Sequence, residues 1–95
     1  MMDIYYVELF DYYGELFTDK QKEYFVDYCF NNLTLQEIAD NNNVSRNAVH
    51  KNIKDLKEKL DYYESKLHLY SNRTKIEKLI NNLEPNLKKE IEELI

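Results

Sequence analysis

One glycine, one proline, two alanines and no tryptophan in 95 residues leave this chain few ways to turn sharply. Nothing alternates with period two, and the dipeptides that close β-hairpins are missing, which leaves little room for a sheet, and an all-α fold is expected. The lone cysteine, Cys29 within Tyr28-Cys29-Phe30, excludes a disulfide framework and reads as a packed thiol. No segment approaches the roughly 20 apolar residues of a membrane span. Met1-Met2-Asp3-Ile4 also lacks the basic residues and apolar run of a leader, so a soluble, cytoplasmic protein without a membrane partner is expected. The two histidines, His50 and His68, have no aligned cysteine or second histidine, which argues against a metal or other cofactor. Without a linked acid and base or a glycine-rich phosphate loop, the expectation is a protein that is not an enzyme.

What the chain has in quantity is asparagine and tyrosine, eleven and nine residues, a bias that an AT-rich coding genome accounts for as well as selection does. With 43% hydrophobic residues, 95 residues suffice for one modest core. The net charge of -5 argues against indiscriminate coating of nucleic acid, because non-specific affinity comes from neutralising phosphates. The distribution is more telling than the sum. Residues 1–17 carry four acids and no Lys or Arg, whereas residues 46–70 carry six bases against four acids.

Hydrophobic periodicity predicts a first helix from about Ile4 to Phe17, with Tyr6, Leu9, Phe10, Tyr13, Leu16 and Phe17 on one face. Thr18, with Gln21 three residues on, predicts a capped second helix ending near Asn31-Asn32, in which Tyr24, Phe25, Tyr28, Cys29 and Phe30 are apolar. A long helix should begin after Ser45 and run without a breaker to about Tyr70. Its apolar positions Val49, Ile53, Leu56, Leu60, Tyr63, Leu67 and Tyr70 recur every four and three residues, a heptad seam that must be buried. Two partners are open to it: the first helix of the same chain, or a second copy meeting Leu56, Leu60, Tyr63 and Leu67 as a homodimer. Ser71-Asn72 should interrupt the chain, followed by a fifth helix bearing Ile76, Leu79, Ile80 and Leu83 on one face and a last one starting at Pro85.

The most informative stretch is Thr34 to Val49. Thr34 with Glu37 forms a capping box, and Ser45 caps a second helix eleven residues later, the spacing of a helix-turn-helix. Ala39 permits close approach of the two helices, and Ile38, Val44 and Val49 are expected to hold their angle. Asn43 stands where the turn needs a positive φ, for which asparagine is the next-best residue to glycine. Asn42 occupies a position normally apolar and is expected to loosen the shorter helix. An ordinary helical hairpin shares this periodicity and is the competing reading.

At about 100° per residue, Arg46, Asn47, His50, Lys51 and Lys54 fall on one arc, roughly opposite Val49, Ile53, Leu56 and Leu60. Such a face is often no more than a solvated one. Here it begins where a helix-turn-helix places base-reading residues, so Arg46 and Asn47 are candidates for base edges and Lys51 and Lys54 for phosphates. His50 is a candidate polar contact, while Thr34 and Ser45, at helix N-termini, add candidate phosphate contacts. The expected organisation is a helix-turn-helix nucleic-acid-binding domain over 1–70, with the motif at 34–53. Residues 71–95 form an appendage packed on the long helix or on a second subunit.

The segment Leu9-Phe10-Asp11-Tyr12-Tyr13-Gly14-Glu15-Leu16-Phe17-Thr18-Asp19-Lys20-Gln21-Lys22-Glu23-Tyr24, with Leu35-Gln36-Glu37-Ile38-Ala39 and Val44-Ser45-Arg46-Asn47-Ala48-Val49, resembles the YlxM family. The resemblance implies a small bacterial helical module similar to region 4 of sigma-70 factors and associated with the signal recognition particle pathway. It leaves two kinds of partner open. One is DNA bound by a regulatory protein; the other is the signal recognition particle RNA or its GTPase, contacted by an accessory factor. A module used only for protein contact is a third reading.

Overall fold

The first four α-helices of this chain each start where a short polar side chain supplies the acceptor that the first backbone N–H groups lack. In the computed structural model, which describes residues 3–95, Asp3 Oδ1 accepts the N–H of Tyr5 at 3.1 Å and opens α1 (Ile4–Tyr13). Met1 and Met2, at the head of the expected 1–70 unit, lie outside the described residues. Thr18 and Gln21 form the capping box of α2 (Asp19–Cys29), and Thr34 and Glu37 form that of α3 (Leu35–Asn42). Ser45 Oγ accepts from Ala48 N at 3.0 Å to open α4 (Arg46–Leu67), and α5 (Leu69–Leu79) and α6 (Pro85–Glu93) complete the chain. Among the described residues there is no strand, so the fold is all-α.

The single glycine is used for close approach, not for a turn. Gly14 has φ -56, and a Cβ there would meet the Phe10 ring at 3.2 Å, a ring that stacks on Phe25 at 4.6 Å. The turns fall instead to Asn32, Asn43 and His68, the three residues with positive φ among those described and all of types that tolerate the left-handed region. At Gly14 the chain also tightens into a short 3-10 turn (Gly14–Leu16), so α1 ends four residues before the expected Phe17. Phe17 still reaches the core, but Leu16 is turned out to solvent.

Leu9, Tyr13 and Phe17 pack against Phe25 and Cys29 of α2 and against Leu56 and Leu60 of α4. Leu56 and Leu60 are fully enclosed, and the Tyr63 ring lies 6.0 Å from those of both Tyr13 and Phe17. Of the two partners open to the heptad seam, the chain's own α1 and α2 therefore take Leu56, Leu60 and Tyr63. Only Leu67 of those four is exposed. Phe30, expected in the core, is half exposed because α2 has already ended at Cys29.

The long helix stops earlier than its periodicity predicts. His68 at φ 56 breaks it after Leu67, and α5 then runs through Ser71-Asn72, the expected interruption. The break is held by Glu64, whose carboxylate accepts from Tyr13 Oη at 2.7 Å and from the backbone N–H groups of Tyr70 at 3.1 Å and Ser71 at 3.0 Å. Tyr13 Oη in turn accepts from Leu69 N. Beyond this junction burial is sparse. Neither α5 nor α6 contains a fully buried residue, and the tail is tied back by Arg73, which donates to the Ile95 carbonyl at 2.7 Å.

Candidate nucleic-acid interface

The angle between α3 and α4 is set by a second, smaller cluster in which Ile38, Ala39, Val49 and Ile53 pack with Tyr24. Ala39 is fully buried, as a close helix approach requires. Asn43, at φ 55 and ψ 42, ends α3, and Val44 N donates to Ala39 O at 3.1 Å to close the turn. Val44 itself is 40% exposed and contributes less to the angle than expected. Asn42 does not loosen α3. Its amide donates to Ile38 O at 2.7 Å and its Oδ1 accepts from Lys20 Nζ at 2.9 Å, so a polar clamp to α2 replaces the usual apolar contact.

With α4 seated by Val49, Ile53 and Leu56, the side chains of Arg46, Asn47, His50, Lys51 and Lys54 are all exposed on its outer face. Thr34 and Ser45 lie at the starts of the two motif helices. Their oxygens are occupied as caps, which leaves each hydroxyl hydrogen able to donate. Lys51 is already paired, 2.8 Å from Asp55 one turn on. That contact holds the Lys51 ammonium above its ordinary pKa and the Asp55 carboxyl below its own. Lys51 must therefore exchange a carboxylate for any phosphate it meets. His50 and Lys54 instead border a cleft of about 320 Å³ between α4 and the ends of the other helices.

The electrostatics of the first turn of α4 run against helix stability. The N-terminal end of a helix carries partial positive charge and favours Asp or Glu, yet this turn holds Arg46 and no acid. Among the described residues Arg46 makes no ion pair. A cation added to a positive helix end, unscreened by any carboxylate, concentrates positive potential at the exposed tip of an otherwise acidic chain.

The family model described as "Putative helix-turn-helix protein, YlxM / p13 like" (UPF0122) matches residues 2–95. The chain belongs to the UPF0122 family. A UPF0122 protein of Malacoplasma penetrans is 47% identical over 92 residues, spanning 90% of this chain and 86% of the relative. Others from Mycoplasma mycoides, 46% identical over 79 residues, and Listeria welshimeri, 44% identical over 81, cover 83% and 85% of this chain and 70% and 74% of their own lengths. The helix-turn-helix of this UPF0122 chain is accordingly its α3, Asn43 turn and α4. Among the described residues no helix is long and apolar enough to cross a membrane.

Sequence reasoning missed one residue of this face. Lys57 lies seven positions after His50 and three after Lys54, on the same stripe of α4 by the same 100° arithmetic. It is half buried, with its ammonium 5.4 Å from the Tyr6 ring centroid and 5.8 Å from that of Tyr28. The spacing could have found it; the two rings, from other helices, could not be foreseen.

Proposed function

We infer that this chain is a regulatory protein that binds duplex DNA through the first turns of α4. The observation that carries the reading is the exposed Arg46, without an ion pair among the described residues, at the positive end of that helix, beside Asn47 and in line with His50 and Lys54. On this reading the exposed Arg46 and Asn47 contact base edges. Lys54, and Lys51 after release from Asp55, are suited to phosphates, with the Thr34 and Ser45 hydroxyls at the flanks. Glu58 and Asp61 on the same helix keep a regular duplex to its first three turns, because carboxylates repel the phosphate backbone.

The test is binding of purified protein to fragmented genomic DNA and to signal recognition particle RNA at two salt concentrations. Arg46→Ala should relax sequence preference. Lys54→Ala should weaken all sequences alike and lower the salt slope by about one. Selective DNA binding that both variants leave untouched would remove this face from the reading. Preference for the RNA, sensitive to the same variants, would instead make the chain an accessory factor of protein targeting. An RNA major groove does not admit a helix as B-DNA does.

A further inference from the structure

The cleft beside α4 has features that binding to a regular duplex does not use. It is lined by one stripe of α4, on which His50, Lys54 and Lys57 are followed toward the C-terminal end by Glu58 and Asp61, and by Tyr6, Tyr28 and Leu35 of the other helices. At about 320 Å³ it is too small to admit a helix or a duplex strand, and it falls at the lower end of the range for small-ligand sites. Lys57 is the unusual member. Asp61, one helical turn on, is the natural ion-pair partner, yet its Oδ2 accepts the Tyr6 hydroxyl at 2.8 Å. Among the described residues Lys57 has no carboxylate in ion-pair range, and His50 and Lys54 have none either. A half-buried cation resting on two aromatic faces, with no counter-ion, is left to attract an anion from outside.

The cleft is also polarised. Along α4 the Lys54 and Lys57 ammonium groups come first and the Glu58 and Asp61 carboxylates, which accept N–H donors, follow, with the Tyr6 and Tyr28 rings beside Lys57. A nucleotide has the complementary order: an anionic phosphate, a flat ring system that stacks on tyrosine, and an edge bearing N–H donors. A bare phosphate or a lipid headgroup would match the basic side and be repelled by Glu58 and Asp61. A base held within a duplex stack cannot enter, so the nucleotide must be unpaired.

We propose that the cleft between α4 and the Tyr6 and Tyr28 rings receives one unstacked nucleotide of a bound nucleic-acid strand, with its phosphate on the Lys54 and Lys57 side and its base against the tyrosines. The inference rests on nucleic-acid binding by α4 and adds a preference for strands that offer an extruded base. An extruded base can come from a bulge in DNA or in RNA.

The experiment compares a perfect DNA duplex with the same duplex carrying one extra, extruded 2-aminopurine, and repeats the pair in RNA. Affinity is read by anisotropy and base stacking by 2-aminopurine fluorescence, for wild type, Lys57→Gln and Tyr28→Leu. The bulged probe should bind roughly tenfold more tightly than the perfect one in at least one nucleic acid, with its fluorescence quenched on binding. Lys57→Gln should bring the ratio of the two affinities toward one. Tyr28→Leu, its fold verified by circular dichroism, should lose the quenching. The arm that shows the preference identifies the source of the base. Equal affinity for bulged and perfect probes, or a ratio that Lys57→Gln leaves unchanged, overturns the cleft while duplex binding stands. Binding to none of the four probes overturns both.

Discussion

Two helix starts in this molecule solve the same problem in opposite ways. At α4 the acceptor is Ser45, the residue immediately before the helix, in an exposed turn, and the positive helix end is left open to solvent. At α5 the residue before the helix is His68, which makes no side-chain cap. The acceptor is Glu64 from the preceding helix, 8% exposed and shared with Tyr13 of α1. A local cap can be exposed because it depends on nothing else. A tertiary cap joins three helices and fails as a unit. The difference separates an exposed end, which on the proposed reading meets nucleic acid, from an end committed to holding the fold.

The largest effect should therefore come from Glu64. Glu64→Ala leaves two backbone N–H groups and the Tyr13 hydroxyl without their acceptor and should cost about 3 kcal/mol in urea denaturation. The loss should be greatest for protection of the α5 amides in hydrogen exchange. A cost under about 1 kcal/mol would mean that water substitutes for the carboxylate, and the contrast between the two caps would collapse.

The same cap gives a pH signature. Burial raises the Glu64 pKa, but hydrogen bonds from Tyr13 and from the Ser71 and Tyr70 backbone outweigh it and hold the carboxyl below its ordinary 4.5. A depressed folded value means stability that is complete above about pH 4.5 and lost as the pH falls through the lowered value. Tyr13, pushed up to about 12 by burial and by its bond to Glu64, contributes below pH 10.0 and loses its contribution as the pH rises through about 12. The stability difference between wild type and Glu64→Gln should thus be flat between those limits and shrink in acid. A difference still intact at pH 3 would show that the carboxylate charge is not what the junction uses.

Ser45→Ala is the matched test at the other end and should cost about 1 kcal/mol, the usual value of one exposed cap. Hydrogen exchange should then show fraying confined to the first turn of α4. A larger or wider loss would mean that this end, too, is part of the tertiary frame.

These two ends also differ in how far the sequence revealed them. The Ser45, Thr34 and Thr18 caps depend on residues three apart, so spacing alone located the starts of α2, α3 and α4. Tyr13 and Glu64 are 51 positions apart, and no local pattern marks them as partners or marks His68 as the break. The heptad seam was visible as a stripe, but a stripe does not say whose surface it meets. Leu56 and Leu60 proved to belong to the chain's own core. In the candidate site, helical arithmetic sufficed to expose Arg46, Asn47, His50 and Lys54. The Lys51 to Asp55 pair was also readable, being an ordinary i,i+4 contact, whereas the Tyr6 and Tyr28 wall required the tertiary fold.

The smallest predicted effect on stability has the opposite sign. Arg46→Glu places an acid at the positive end of α4 and should raise stability by about 0.5 kcal/mol in a urea titration, because the helix dipole prefers a carboxylate there. Ser45 still supplies the cap, so the fold has no reason to resist the change. The same substitution puts a negative charge where the proposed reading requires contact with bases and phosphates, and it should abolish DNA binding. A variant that folds better and binds nothing would show that Arg46 is kept against the interest of the helix. If Arg46→Glu bound DNA as wild type does, the open end of α4 would be an ordinary solvated helix tip, and its contrast with the Glu64 junction would be one of burial alone.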